Sequence, residues 1–306
     1  MTGSTEPRAD LAVDDAEIAR LEDIARRIRL SVIEAVDVAK AGHLGGPLSA
    51  ADILTALYFK VMRIRPEEPT WPDRDRFVLS KGHSAIGLYA TMAHRGYLPV
   101  EELRTFDAIH SRLQGHPEMT RLPGIDMSTG SLGMGISAAM GMALGARVQG
   151  KNFVAYALLG DGECQEGEVW EAAMAARRHD LDNLIVIVDE NRLQQFGWLE
   201  GHHESGDRVV APPHPPGQLA EKWRAFGWRV LEMDGHDMRD ILRTLRTAVE
   251  DGDGASPTCV IAHTVKGKGV SFMENDYTWH SKTLSPQEFA TACAELGAVD
   301  TVQQES

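Results

Sequence analysis

The chain has 306 residues, 43% of them hydrophobic, enough for the sizeable buried core of one large α/β unit. Its 45 acidic residues outnumber its 31 Lys and Arg, giving a net charge of -14, and the basic residues form no long run, which argues against nucleic acid as a partner. The opening MTGSTEPRADLAVDD lacks a basic stretch followed by an apolar one, and no later segment approaches the length of a membrane span, so a cytoplasmic protein without membrane association is expected.

In chain order, residues 1–13 are polar and expected to be mobile, residues 14–297 form the folded unit, and 298–306 make a C-terminal tail. From Glu17 the apolar positions Ile18, Leu21, Ile24, Ile28, Val32, Ala35 and Val36 follow one helical face that ends near Gly42. That stripe is read as core packing. Gly133 to Gly145 is rich in Gly, Ala and Met, which suits a helix packed closely against other backbones or a cofactor. Phe153 to Leu159 and Asn183 to Val188 are too short for helices and rich in Val, Ile and Leu, so both read as buried strands. Between them Glu168 to Arg178 has helical composition, and such a crossover favours two parallel strands whose carboxyl ends share one edge. Cys164, Cys259 and Cys293 are scattered without a C-x-x-C pair, so they read as reduced thiols.

Asp161, in Gly160-Asp161-Gly162, and Asn191, in Asp189-Glu190-Asn191, each lie just beyond one of these strands and are expected to meet at that edge. Magnesium takes oxygen ligands in an octahedron and keeps phosphate oxygens among them, so a carboxylate, an amide oxygen and a carbonyl suffice. Gly160 and Gly162 would let the backbone approach a ligand, and a helix starting soon after Gly162 would turn free N–H groups towards an anion. Taken alone, Gly-Asp-Gly is also ordinary turn chemistry. Its spacing from Asn191 points to a magnesium-diphosphate site at the open edge of a parallel sheet.

Gly-Asp-Gly followed at this distance by Asn is the thiamine diphosphate motif, and longer segments carry a more specific likeness. AGHLGGPLSAADIL (41 to 54), DRFVLSKGHSAIGLYA (75 to 90), QGHPEM (114 to 119), STGSLGMGIS (128 to 137), GDGECQEGEVWEAA (160 to 173) and AHTVKGKGVSFMENDYTWH (262 to 280) follow one another as in the N-terminal part of a transketolase, which the chain resembles. The resemblance implies a thiamine diphosphate-binding fold with a parallel central sheet flanked by helices. It implies thiamine diphosphate and Mg2+ as cofactors, with Ca2+ or Mn2+ able to substitute. Because the family's later domains are not in this sequence, it implies a split transketolase in which a separate C-terminal subunit completes each active site, as an α2β2 heterotetramer. The implied reaction moves a two-carbon ketol unit from a ketose donor to an aldehyde acceptor, both phosphorylated sugars in the family's usual pattern.

By the same resemblance, Asp161, Asn191 and the Leu193 carbonyl hold the metal, and Gly160, Gly162 and Glu163 belong to the cofactor site. Gly130 matches a position whose carbonyl meets the cofactor's amino group, and Leu132 one whose side chain lies beside the thiazolium. Of the twelve histidines, His43, His83, His116 and His280 sit in the shared segments. The family positions imply that His83 and His280 contact the diphosphate, His280 also nearing the donor sugar, while His43 and His116 face sugar hydroxyls. Proton removal from a hydroxyl calls for a group titrating near neutrality, which histidine is. Glu166 and Glu171 match acidic residues that link the family's two active sites, although Glu171 reads equally well as a solvated helix face.

Two departures stand out. Where the family has an apolar residue and then Asp-Gly, this chain has Gln195-Phe196-Gly197, so packing under the thiazolium is expected to differ. The loop of residues 198–218, with His202, His203 and His214 read as surface residues, is longer than the family's usual connection and is expected either to shape substrate access, to contact the partner, or to be a tolerated insertion. Three other functions stay open: a 1-deoxyxylulose-phosphate-synthase-like or E1-type decarboxylating enzyme, a non-catalytic cofactor-binding subunit, and a nicotinamide-dependent oxidoreductase. The last rests on Gly133-x-Gly135-x-x-Ala138, a loose dinucleotide fingerprint that lacks the preceding strand it needs.

Overall fold

The apolar runs after Asn152 and Asp182 contain strands, as their shortness and apolar content predict. The computed structural model describes residues 13–195, 218–251 and 254–298. Apart from Val13, Gln218 and Ala298, the two chain ends and the 198–218 loop singled out in the sequence, including His202, His203 and His214, lie outside the described residues, as do Phe196 and Gly197.

Among the described residues five strands, β1 (Arg76–Leu79), β2 (Ala155–Gly160), β3 (Leu184–Glu190), β4 (Arg229–Asp234) and β5 (Thr258–His263), form one sheet in the order β1-β2-β3-β5-β4. Every neighbouring pair is parallel. Parallel pairing puts all five carboxyl ends on one edge, and the register sets Gly160 beside Asp189 and Asp189 beside Ala262. The two motif-bearing strands are thus direct neighbours.

Both faces of the sheet are covered, so its strands are apolar throughout rather than alternating with polar residues. Tyr156, Leu158, Ile185, Ile187 and Val260 face one core, shared with α1 (Asp15–Ala39), α2 (Gly45–Ala56) and α3 (Ala85–Arg95). Ala155, Ala157, Leu159, Val186, Val188 and Ile261 face the other, shared with α4 (Met134–Val148), α5 (Gly167–Arg178) and α6 (Gln218–Ala225). The period of two along each strand divides them. The remaining helices, α7 (Met238–Glu250) and α8 (Pro286–Glu295), join the first core.

Helix α1 follows the expected stripe, with all seven of its named apolar positions buried. Asp14 caps it, its carboxylate accepting from Glu17 N at 2.8 Å. Val13 packs against the same core, one residue before the folded unit read from the sequence. Helix α2 is buried on every side, as an apolar helix without a polar face must be. Among the described residues no helix is long and apolar enough to cross a membrane.

Helix α4 only partly matches the expectation of close packing. At Gly135 a Cβ would lie 2.4 Å from Ser80 Oγ and 2.7 Å from its Cα, so the backbones of α4 and the β1 turn do meet there. Gly141, further along the helix, is exposed, and a Cβ added to it would meet nothing within 4 Å. One substitution therefore has opposite signs at two sites. Gly141→Ala is expected to raise stability by about 1 kcal/mol, the helix-propensity difference, whereas Gly135→Ala is expected to cost about 1–3 kcal/mol by overpacking. Urea denaturation of the two variants checks both signs.

Candidate active site

At the carboxyl edge of the sheet lies a cavity of about 530 Å3. The turn after β1 contributes Lys81 and His83, the turn after β2 contributes Gly160, Asp161, Gly162 and Glu163, and the segment after β3 contributes Asn191, Leu193, Gln194 and Gln195. The loop after β5 adds Lys266, the start of α2 adds His43 and Gly46, and the approach to α4 adds His116, Gly130 and Leu132. His280 comes from a short 3-10 turn, Tyr277–His280. Every residue named from the sequence for catalysis, cofactor or metal lines this one space, as does Glu166; Glu171 sits on the exposed face of α5 outside it.

The oxygen donors gather at the β2–β3 boundary. Asp161 accepts from Gly162 N at 2.8 Å and from Arg192 N at 2.6 Å, and Asn191 Oδ1 accepts from Leu193 N at 3.1 Å. Burial, with the neighbouring Asp189 charge, pushes the Asp161 carboxyl up to about 7. A cation beside it would oppose both effects. Among the described residues no group of three or more His, Cys, Asp or Glu is placed to hold a metal. The site instead offers one carboxylate with amide and carbonyl oxygens, a hard mixed set that suits magnesium completed by phosphate oxygens.

Two details of the turn after β2 shape the cavity. A 3-10 turn, Glu163–Gln165, follows Gly162, the helix begins at Gly167, one residue before the Glu168 read from the sequence, and the Gly162 N–H is taken by Asp161. The Glu163 carboxylate turns back into the fold and accepts from Ser80 Oγ at 2.5 Å, Gly133 N at 2.9 Å and Gly160 N at 3.1 Å. It ties three loops of the cavity together. A Cβ at Gly162 would lie 2.9 Å from Gln194 Cγ, while at Gly160 the nearest atom would be 3.8 Å away.

Sequence reasoning passed over the cations. Lys81, 2% exposed, is ion-paired with Asp189, which is fully buried. Asp189 also accepts from Ser49 Oγ at 2.5 Å, from Asn191 Nδ2 at 3.1 Å and from the Thr264 hydroxyl. Lys266 Nζ lies 2.9 Å from each of the Leu193 carbonyl, the Gln194 carbonyl and His280 Nδ1. Burial lowers its ammonium to about 8. Both lysines stand inside quoted motifs, SKGHS and VKGKG, and that placement beside His83 and before His280 was the available signal.

The rings of His43, His83 and His280 form a cluster with centroids 5.1 Å, 5.1 Å and 5.2 Å apart. His116 stands exposed at the rim, next to Gly130. The cluster does not titrate near neutrality as expected. Burial first, then the charge of Lys81, holds His83 down to about 2; burial and Lys266 hold His280 down to about 3, and burial lowers His43 as well. Neutral imidazoles next to two lysines are therefore the resting state, and an anion placed among them would work in the opposite direction. The folded chain resists protonating His83 while the unfolded chain accepts the proton near the ordinary value of 6.5, so its contribution to stability is present above 6.5 and is lost as pH falls towards about 2. From pH 7 to pH 5, His83→Gln is expected to lose about 2 kcal/mol less stability than the unsubstituted chain, measured by urea denaturation at the two pH values.

The dinucleotide reading has no support in this geometry, because α4 is preceded by turns and bends rather than a strand. Comparison with known proteins gives a consistent family. The family model described as transketolase, thiamine diphosphate binding domain, matches residues 21–303. One subunit of the apulose-4-phosphate transketolase of Phocaeicola vulgatus is 41% identical over 280 residues, covering 92% of this chain and 95% of that protein. One subunit of the 6-deoxy-6-sulfo-D-fructose transketolase of Clostridium sp. is 42% identical over 278 residues, covering 90% of this chain and 96% of that one. The crystal structure of Campylobacter jejuni transketolase superposes with a TM-score of 0.80 at 33% identity, over 92% of this chain and 43% of that chain. This chain thus matches nearly the full length of the two subunits but less than half of the solved transketolase. It belongs to the transketolase family, in which it corresponds to the thiamine diphosphate-binding domain.

Proposed function

We propose that this chain binds thiamine diphosphate and Mg2+ in the cavity and, together with a separate C-terminal subunit, transfers a two-carbon ketol unit from a ketose to an aldehyde in the cytoplasm. What carries the reading is that the Asp161 carboxylate, the Asn191 amide and the Leu193 carbonyl share one space with Lys81, Lys266 and the His43–His83–His280 cluster. In this reading Asp161, Asn191 and the Leu193 carbonyl hold the cation, Gly130, Gly160, Gly162 and Leu132 border the cofactor, and Glu163 braces its loops. Thiamine diphosphate, when bound, supplies the electron sink for cleaving a bond next to a carbonyl.

The protein's own contribution is position and protonation state. Lys266, His83 and His280 present N–H groups to an anion in a largely buried setting, where such bonds are stronger than in water. Neutral His43 can accept a proton from a sugar hydroxyl and hold it at a ring nitrogen, whereas His280 Nδ1 is already taken by Lys266. His116, at the rim, is placed to meet the part of the sugar that remains near solvent.

The two relatives are named for apulose-4-phosphate and 6-deoxy-6-sulfo-D-fructose, which supports a donor or acceptor with an anionic end. The separate subunit is inferred from these two relatives, each named as one subunit of a transketolase and matched by this chain almost end to end; the α2β2 arrangement belongs to the same proposal. The test mixes the chain with a C-terminal transketolase subunit, thiamine diphosphate and Mg2+, and follows ketol transfer from several ketoses, each chain alone serving as control. Transfer only in the mixture is the expected result. Pyruvate decarboxylation without ketol transfer, or transfer by the chain alone, would overturn it.

A further inference from the structure

We propose that His236, outside the cavity, is a positioning residue that fixes the loop carrying Thr264 and Lys266 into the site. The inference rests on the transketolase reading only for the importance it gives to the Leu193 carbonyl. The arrangement itself is independent of that reading.

His236 follows β4, at the same sheet edge, and bridges two elements. Val265 N donates to its Nε2 at 2.8 Å. Nε2 must then carry the lone pair, so the ring proton is on Nδ1, which donates to Asp52 Oδ2 at 2.8 Å. Asp52 belongs to α2, and its carboxylate is gripped by Arg29 of α1 at 3.1 Å and 2.5 Å. Arg29 and Asp52 are 7% and 6% exposed. The core therefore fixes one nitrogen of the imidazole, and the other fixes a single backbone amide.

That amide lies between the two residues of the loop that reach the site. Thr264 on one side donates to the buried Asp189 carboxylate, and Lys266 on the other binds the Leu193 and Gln194 carbonyls and His280. The β4 and β5 loops meet with no slack, because a Cβ at Gly235 would lie 2.4 Å from Thr264 Cγ2. With packing this close, a shift at Val265 is passed to Lys266. Partners one step removed from a metal or cofactor ligand set its orientation in this way.

The two ring nitrogens can be separated by substitution. Asn reaches as far as Nδ1 and keeps a donor for Asp52 but has nothing for Val265 N; Gln reaches as far as Nε2 and keeps an acceptor for Val265 N but loses Asp52. If His236 acts through Val265, His236→Asn should weaken thiamine diphosphate binding by about tenfold in the presence of Mg2+, and His236→Gln should stay near the unsubstituted protein. Binding is measured by calorimetry on the chain with its C-terminal subunit. Amide exchange of the Val265–Lys266 segment, measured on the full chain without cofactor, should quicken in His236→Asn and not in His236→Gln.

Unchanged exchange in His236→Asn would overturn the proposal, and so would the reverse order, with His236→Gln the weaker binder, since that result would assign His236 to the Asp52 network alone. Equal loss in both variants together with equally lowered melting temperatures would also overturn it, as a general structural role. Failure of the unsubstituted protein to bind thiamine diphosphate would overturn the function proposed above, and amide exchange would still decide the role of His236.

Discussion

Asp161→Asn is expected to weaken binding of Mg2+ and thiamine diphosphate by at least a hundredfold while leaving the cofactor-free chain folded. The carboxylate is the one anionic group in the proposed oxygen set, and removing one partner of a buried, hydrogen-bonded charge pair costs about 3 kcal/mol or more, roughly a factor of a hundred in affinity. The cofactor-free chain responds differently. Burial and the Asp189 charge both oppose ionisation of Asp161, holding its carboxyl up at about 7, so a neutral amide relieves that opposition. Against the gain stands one backbone bond, because the carboxylate accepts from both Gly162 N and Arg192 N and an amide has one oxygen for the two. The terms are of similar size, about 1 kcal/mol for the neutral bond, so melting without cofactor should move little. Calorimetric titration with Mg2+ and thiamine diphosphate reads the first effect and thermal melting the second. Binding by Asp161→Asn equal to that of the unsubstituted protein would remove Asp161 from the cation site.

The pairing of Asp161 with Asn191 was legible because it depends on local features. Short apolar runs joined by a helical crossover make parallel strands, parallel strands put their carboxyl ends together, and residues just beyond them share that edge. The α1 stripe was legible for the same reason, as periodicity within one element. His43, His83, His116 and His280 stand scattered along the chain, and what brought them together in advance was their place in shared segments, not any spacing.

What was hidden depends on contacts between distant elements. Asp189 reads as the polar end of an apolar strand, and its partners Ser49, Lys81 and Thr264 come from three other parts of the chain. The role of His236 is hidden likewise, since its two partners lie on α2 and in the β5 loop. The titration of the histidines was misjudged because residue type suggests neutrality, whereas burial and two lysines decide the value.

Lys81→Met should destabilise the chain by about 3–5 kcal/mol, the cost of leaving one member of a buried ion pair without the other. The setting is severe. Lys81 is 2% exposed and Asp189 0%, so water cannot take over from the lost ammonium. Burial works against the Asp189 charge, and Lys81 heads the contacts that nevertheless keep its carboxyl below the ordinary range, followed by the Ser49 and Thr264 hydroxyls. With the lysine gone, three neutral donors remain, Ser49, Thr264 and Asn191, which satisfy the oxygens but do not balance the charge. Lys81→Met with Asp189→Asn should therefore recover much of the loss, because the second change removes the charge that the first left unbalanced. Urea denaturation of both single variants and the double variant measures this coupling. A loss below about 1 kcal/mol for Lys81→Met, as for an exposed pair, or strict additivity in the double variant, would mean that the pair does not hold the β1 and β3 turns together. The consequence reaches the candidate metal residue, since the Asp189 charge already raises the Asp161 carboxyl with Lys81 in place. Without Lys81 that repulsion is screened less, and Asp161 should ionise, and bind a cation, less readily even though no ligand has been changed.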